Sequence, residues 1–138
     1  MALVALVMIT FFWGGIAIAQ NGDAPATDGS AGLLLSEAVM CEDIETYAPV
    51  NRAVVFATGI GQVVCFTAFE NIPEQMFIYH SWFRGDELIT TKRLTLKPPK
   101  WGTHSKILLR QADIGPWRVE VHDQQENIIT TLRFSITE

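Results

Sequence analysis

The residues of this chain whose types suit chemistry are His80, His104, His122, Ser81, Ser105, Cys41 and Cys65. A serine beside a histidine suggests a nucleophile and its base, but that chemistry needs the two side chains in hydrogen-bond contact. His80-Ser81 and His104-Ser105 are sequence neighbours, and neighbours on a strand point to opposite faces. There is no Gly-x-Ser-x-Gly elbow either. The three histidines lack the converging spacing of a metal site with an open position. Asp and Glu fall mainly in turn-like stretches such as Asp86-Glu87 and Asp123, a solubility pattern rather than the paired carboxylates of sugar hydrolysis. His80 then reads as a partly buried ring satisfied by polar neighbours. No catalytic residue, metal ligand or cofactor is expected.

Cys41 and Cys65 are the two cysteines of the chain. In an exported protein such a pair is a disulfide candidate, closing a loop of about 25 residues worth roughly 3 kcal/mol in the chain-entropy treatment. The alternative is two buried free thiols. No Cys-x-x-Cys supports a redox pair. For binding, Pro98-Pro99-Lys100-Trp101-Gly102 reads as a rigid loop carrying a large aromatic, as partner surfaces often do. Trp101, with His104 and Arg84, is the candidate binding surface; the alternative is Trp101 as a plug over the end of the core. Arg118, Glu120 and His122 with Arg133 read as a cross-strand charge ladder.

Strands must position these groups. In Met76–Phe83, alternation places Met76, Ile78, His80 and Trp82 on one face and Phe77, Tyr79, Ser81 and Phe83 on the other. Both faces are largely apolar, so a central, covered strand is expected. Further strands are expected at Ala38–Cys41 (after a start at Leu33 that also suits a short helix), Val54–Thr58, Gln62–Phe69, Leu88–Lys97, Ser105–Leu109, Trp117–His122 and Ile128–Thr137. Arg84–Glu87 reads as a hairpin turn. Seven or eight short strands with frequent turn signals and no long amphipathic helix predict an all-β fold. The expected form is an antiparallel β-sandwich of immunoglobulin-like architecture.

Residues 1–19 carry no charge and are apolar, ending in Ala17-Ile18-Ala19. They predict an N-terminal apolar helix, a signal peptide or a retained membrane anchor, although no Lys or Arg precedes the apolar run. About 16 apolar residues is short for a span of roughly 20. Residues 20–34 read as a flexible linker and 35–138 as the folded domain. The expected address is periplasmic or otherwise extracytoplasmic. A net charge of −5 argues against nucleic acid as partner and against electrostatic docking on anionic lipid, leaving the membrane only the N-terminal segment.

A set of landmarks carries a resemblance. They are Cys41, Pro49-Val50, Cys65-Phe66-Thr67, His80-Ser81-Trp82-Phe83 with Arg84-Gly85, Trp101, Ser105-Lys106, Gly115–Val121 and Phe134-Ser135-Ile136. Over Val39–Glu138 the chain resembles a bacterial family catalogued as domain of unknown function 2914. His80-x-Trp82 followed by Gly115-x-Trp117-x-Val119 is the specific part. An Arg often follows the loop Trp in that family, where this chain has Gly102. The resemblance implies an exported bacterial domain and no known reaction or ligand. The expected function is a non-enzymatic envelope domain that binds a protein partner or has an assembly or accessory role in an envelope complex. A glycan- or peptidoglycan-binding module is the alternative, and an enzyme centred on His80 comes last.

Overall fold

The computed structural model describes residues 32–138, and these are all-β. The strands are β1 (Leu34–Cys41), β2 (Asp43–Glu45), β3 (Ala48–Val50), β4 (Val55–Ala57), β5 (Gln62–Glu70), β6 (Met76–Arg84), β7 (Glu87–Leu96), β8 (Trp101–Leu108), β9 (Gly115–His122) and β10 (Ile128–Thr137). The expected apolar helix at 1–19 and most of the linker lie outside the described residues. Leu34, assigned above to the linker, already opens β1, and nothing helical begins at Leu33.

Three sheets form: β1-β5-β8, β4-β10-β9-β6-β7 and the small hairpin β2-β3. All pairings are antiparallel except β4 with β10. One apolar core lies between the two larger sheets. Met40, Val63, Cys65 and Phe69 enter it from one side, and Ile78, Trp82, Trp117, Val119 and Phe134 from the other. Fully burying a side chain of this size is worth about 1.5–3 kcal/mol, so this face alternation dominates the fold energetics.

The aromatic run behaves as its period dictates. Met76, Ile78, His80 and Trp82 are buried, while Phe77, Tyr79 and Phe83 are half-buried on the outer face. Phe134 joins the aromatics of the core. It meets Trp82 edge-on at 6.0 Å, Phe56 edge-on at 6.1 Å, and stacks on Trp117 at 6.1 Å. The aromatic partner of Trp82 is thus Phe134, which also holds Trp117.

Two expectations are corrected. Trp101–Thr103 is not a loop but the start of β8, pairing Phe69 with Trp101 and Thr67 with Thr103. The turn is confined to residues 97–100, because Pro98-Pro99 ends β7 and the chain re-enters extended structure at once. The disulfide between Cys41 and Cys65 is not formed; both are free thiols. The register gives the reason. Met40, not Cys41, lies opposite Cys65. Cys65 therefore faces the core, and Cys41 faces outward with Val64 and Phe66. Thiols on opposite faces of one sheet cannot meet the narrow geometry of a disulfide.

Candidate functional site

The outer face of the three-stranded sheet carries an apolar strip of Cys41, Val64 and Phe66. The β2–β3 hairpin folds over it, and Ile44 packs against the strip. Its base is well tied. Gln62 Nε2 donates to the Glu42 carbonyl at 3.1 Å, Asn51 Nδ2 donates to Glu42 Oε2 at 2.9 Å, and the Cys41 thiol donates to the Asp43 carbonyl at 3.4 Å. Burial pushes the Cys41 thiol up, and burial pushes Cys65 further, so neither is a nucleophile at neutral pH.

The hairpin tip is different. Thr46 and Tyr47 have φ of +50° and +64°. Two-residue hairpins demand such angles and usually meet them with Asn-Gly or Asp-Gly. A β-branched residue and a bulky one sit there instead, at a cost of about 1–3 kcal/mol each. No core packing offsets this, since Tyr47 is 94% exposed.

Between this tip and β8 runs a groove of about 530 Å³, lined by Ile44, Tyr47, Phe66, Trp101, Gly102 and His104 with Lys100 and Thr103. It continues into a second section of about 310 Å³, where Asp43, Thr46, Val64 and Lys106 join Ile44, Tyr47 and His104. Trp101 is 39% exposed, with the Lys97 ammonium 5.3 Å from its ring centre. It is therefore not simply a plug over the core. A Cβ on Gly102 would come within 3.1 Å of the Phe66 ring. The bare backbone at that position thus lets β8 lie close over Phe66, where an Arg side chain would force the ring to move.

Of the candidate binding residues, Trp101 and His104 both line the groove. Arg84 does not join them. It donates to the Ala112 carbonyl at 2.8 Å and lies 3.7 Å from Asp113 and 3.4 Å from Glu87. Asp113 is buried and anchors that end of the core. Burial raises its pKa, but hydrogen bonds from Arg110 outweigh this and hold the carboxyl below its ordinary value. Trp117 Nε1 donates to the Asp113 carbonyl at 2.6 Å. Tyr47, Ile44 and Phe66 were missed from sequence. The signal lost was the hairpin itself, whose tip has no turn-forming residue.

The histidines make two Ser–His contacts, neither between sequence neighbours. His80, fully buried, spans the two sheets: Nδ1 lies 2.7 Å from Ser105 Oγ, and Nε2 lies 3.0 Å from Thr67 Oγ1. Ser105 also accepts from Trp82 Nε1 at 3.0 Å. Burial lowers the His80 pKa to about 3, with smaller contributions from His104 and His122. The ring is neutral at pH 7 and sealed in the core. On the outer face Ser81 Oγ lies 2.8 Å from His122 Nε2 and 3.1 Å from Thr91 Oγ1, and Tyr79 stacks on the imidazole at 5.4 Å. His122 Nδ1 has no hydrogen-bond partner, so the acidic member that orients a catalytic histidine is not in place. Among the described residues no group of three or more His, Cys, Asp or Glu is poised to hold a metal ion.

The charge ladder forms in part. Arg118 donates to Glu120 at 3.1 Å and lies over Phe83 at 4.1 Å. Arg133 stands opposite Arg118, a like-charge neighbour rather than a partner for Glu120.

No curated protein matches this chain. Residues 75–136, β6 through most of β10 and a little under half of the sequence, match the model of a family described as Protein of unknown function (DUF2914), and it is this family that the chain resembles.

Proposed function

We propose that this chain is a non-enzymatic binding module of the bacterial cell envelope, exported or held at the membrane by residues 1–19, which docks a protein partner in the groove between the β2–β3 hairpin and β8. The observation that carries this reading is Tyr47. Two consecutive non-glycine residues hold strained left-handed angles at a tip that presents a bulky aromatic to solvent beside Trp101. Strain kept without a packing return is a mark of function. The non-enzymatic part rests on the histidines: one Ser–His contact is closed off from solvent, and the other lacks an orienting acid.

We also infer an immunoglobulin-like sandwich. Support comes from the three- and five-stranded division, the parallel β4–β10 pairing, and Cys65 followed by Trp82 on the next strand. Val119 and Val121 fill the inward positions on the strand where a second cysteine would stand.

The test is a photo-crosslinking residue placed at position 47 of the full chain in growing cells, with Asp86, exposed on another turn, as the control position. The expected result is a discrete protein adduct from position 47 alone, lost with Trp101→Ala. Equal adducts from both positions would refute the groove. A glycan reading draws on the same two exposed aromatics; an adduct to envelope glycan instead of protein would select it.

A further inference from the structure

The groove has two chemically distinct sections, and together they specify an occupant. The larger is walled by Tyr47 and Trp101 over Phe66, and no Asp, Glu, Asn, Gln or Arg side chain lines it. Lys100, Thr103 and His104 are its polar side chains, and its widest surface is the apolar face of three aromatic rings. Apolar, flat-faced matter is favoured. The smaller section is polar, with Asp43, His104 and Lys106. Asp43 Oδ1 already accepts from the Ile44 amide at 2.8 Å and from Gln62 Nε2 at 3.3 Å. Lys106, by contrast, has no ion pair among the described residues, whereas Lys100 is paired with Glu70 at 3.0 Å. A chain of net charge −5 thus offers, beside the hydrogen-bonded Asp43 carboxylate, a cation without an ion pair at the polar end of the groove.

An extended peptide spans such a pair of sections naturally. It rises about 3.3 Å per residue, so side chains two apart lie on one side at roughly 6.6 Å spacing. An acyl chain would fill the first section but leave much of its length in water, because the groove is open. We propose that the occupant is an extended segment of the protein partner, with an apolar side chain seated between Tyr47 and Trp101 over Phe66 and an acidic side chain beside Lys106. This rests on the reading of the groove as the docking site. The remaining polar contacts come from His104 and Thr103, and they orient the segment rather than select it.

The experiment is selection of phage-displayed random peptides on the full chain in detergent, followed by titration of the synthetic consensus peptide. The expected consensus holds an apolar residue and an Asp or Glu two positions apart. Its binding falls at least tenfold with Tyr47→Ala or Trp101→Ala, at unchanged melting temperature. Lys106→Glu turns the preference from acidic to basic. A consensus that depends on Trp101 but ignores the charge at position 106 overturns the acidic anchor and leaves the docking site standing. A consensus indifferent to both aromatics overturns the groove as well. Should no peptide be enriched on the wild type over Trp101→Ala, the peptide inference fails. Retention of peptidoglycan fragments that depends on Trp101 would then keep the groove and change its ligand class.

Discussion

Acidification should destabilise this domain through one residue. His80 is enclosed between the sheets, and burial lowers its pKa from 6.5 to about 3. Between these values the unfolded chain binds a proton that the native chain refuses. Stability from this residue is therefore complete above pH 6.5 and is lost as the pH falls toward 3. Each pH unit is worth 1.36 kcal/mol, so the loss at pH 4.5 is about 3 kcal/mol. Against a typical domain stability of 5–15 kcal/mol that is a large fraction. Asp113, whose carboxyl lies below its ordinary value, loses its contribution only below about pH 3.8, and so keeps it at pH 4.5. The assay is urea unfolding at pH 7.5 and 4.5 for the native chain and His80→Gln, which keeps a donor and an acceptor for Ser105 and Thr67. The variant should be less stable at pH 7.5, by about 1–3 kcal/mol. On acidification it should lose about 3 kcal/mol less than the native chain does. Equal losses in both proteins, or an imidazole resonance of His80 titrating above pH 5, would refute the reasoning.

Four further outcomes are expected. Ser105→Ala strips Trp82 Nε1 of its acceptor and His80 Nδ1 of its partner, and should cost about 2–4 kcal/mol in chemical denaturation. Replacing the hairpin tip by Thr46→Asn with Tyr47→Gly supplies residues suited to positive φ, and should raise stability by about 1–2 kcal/mol while abolishing partner binding; an unchanged melting temperature would mean that the tip is not strained. Gly102→Ala presses a methyl onto Phe66, so a small loss of about 1 kcal/mol is expected, with chemical-shift changes concentrated around the groove. Thiol reagent should label neither cysteine in the native chain and both after unfolding, and reductant should leave the melting temperature unchanged.

What the sequence disclosed follows from period. Met76–Phe83 and Gly115–His122 alternate cleanly, so the buried members His80, Trp82 and Trp117 could be placed on core faces without coordinates. Register was not available in the same way. A single-residue offset, Met40 opposite Cys65, decides that the cysteines face away from each other, and no spacing count along the chain carries that information. The same holds for His80 and Ser105, which lie 25 residues apart and meet only because β6 and β8 face each other across the core. Trp101 looked like loop because Pro98, Pro99 and Gly102 surround it. Its pairing with Phe69 outweighs that local preference. The hairpin at 43–50 was invisible for a physical reason: Thr46 and Tyr47 are poor residues for the angles they adopt.

That last conflict bears on how the site is built. Trp101, Gly102 and His104 lie inside the stretch matched by the family model, whereas Ile44, Tyr47 and Phe66 lie outside it. One wall of the groove therefore belongs to the matched framework, and the other is supplied by a short hairpin held at its base by Gln62 and Asn51. Framework strands resist change, because every inward side chain is packed against the opposite sheet. A hairpin tip that touches only the groove is free of that constraint. Its sequence can vary at little cost to the core, and whatever occupies the groove must meet Tyr47. Local sequence and local geometry thus disagree most at the position where the partner would be chosen.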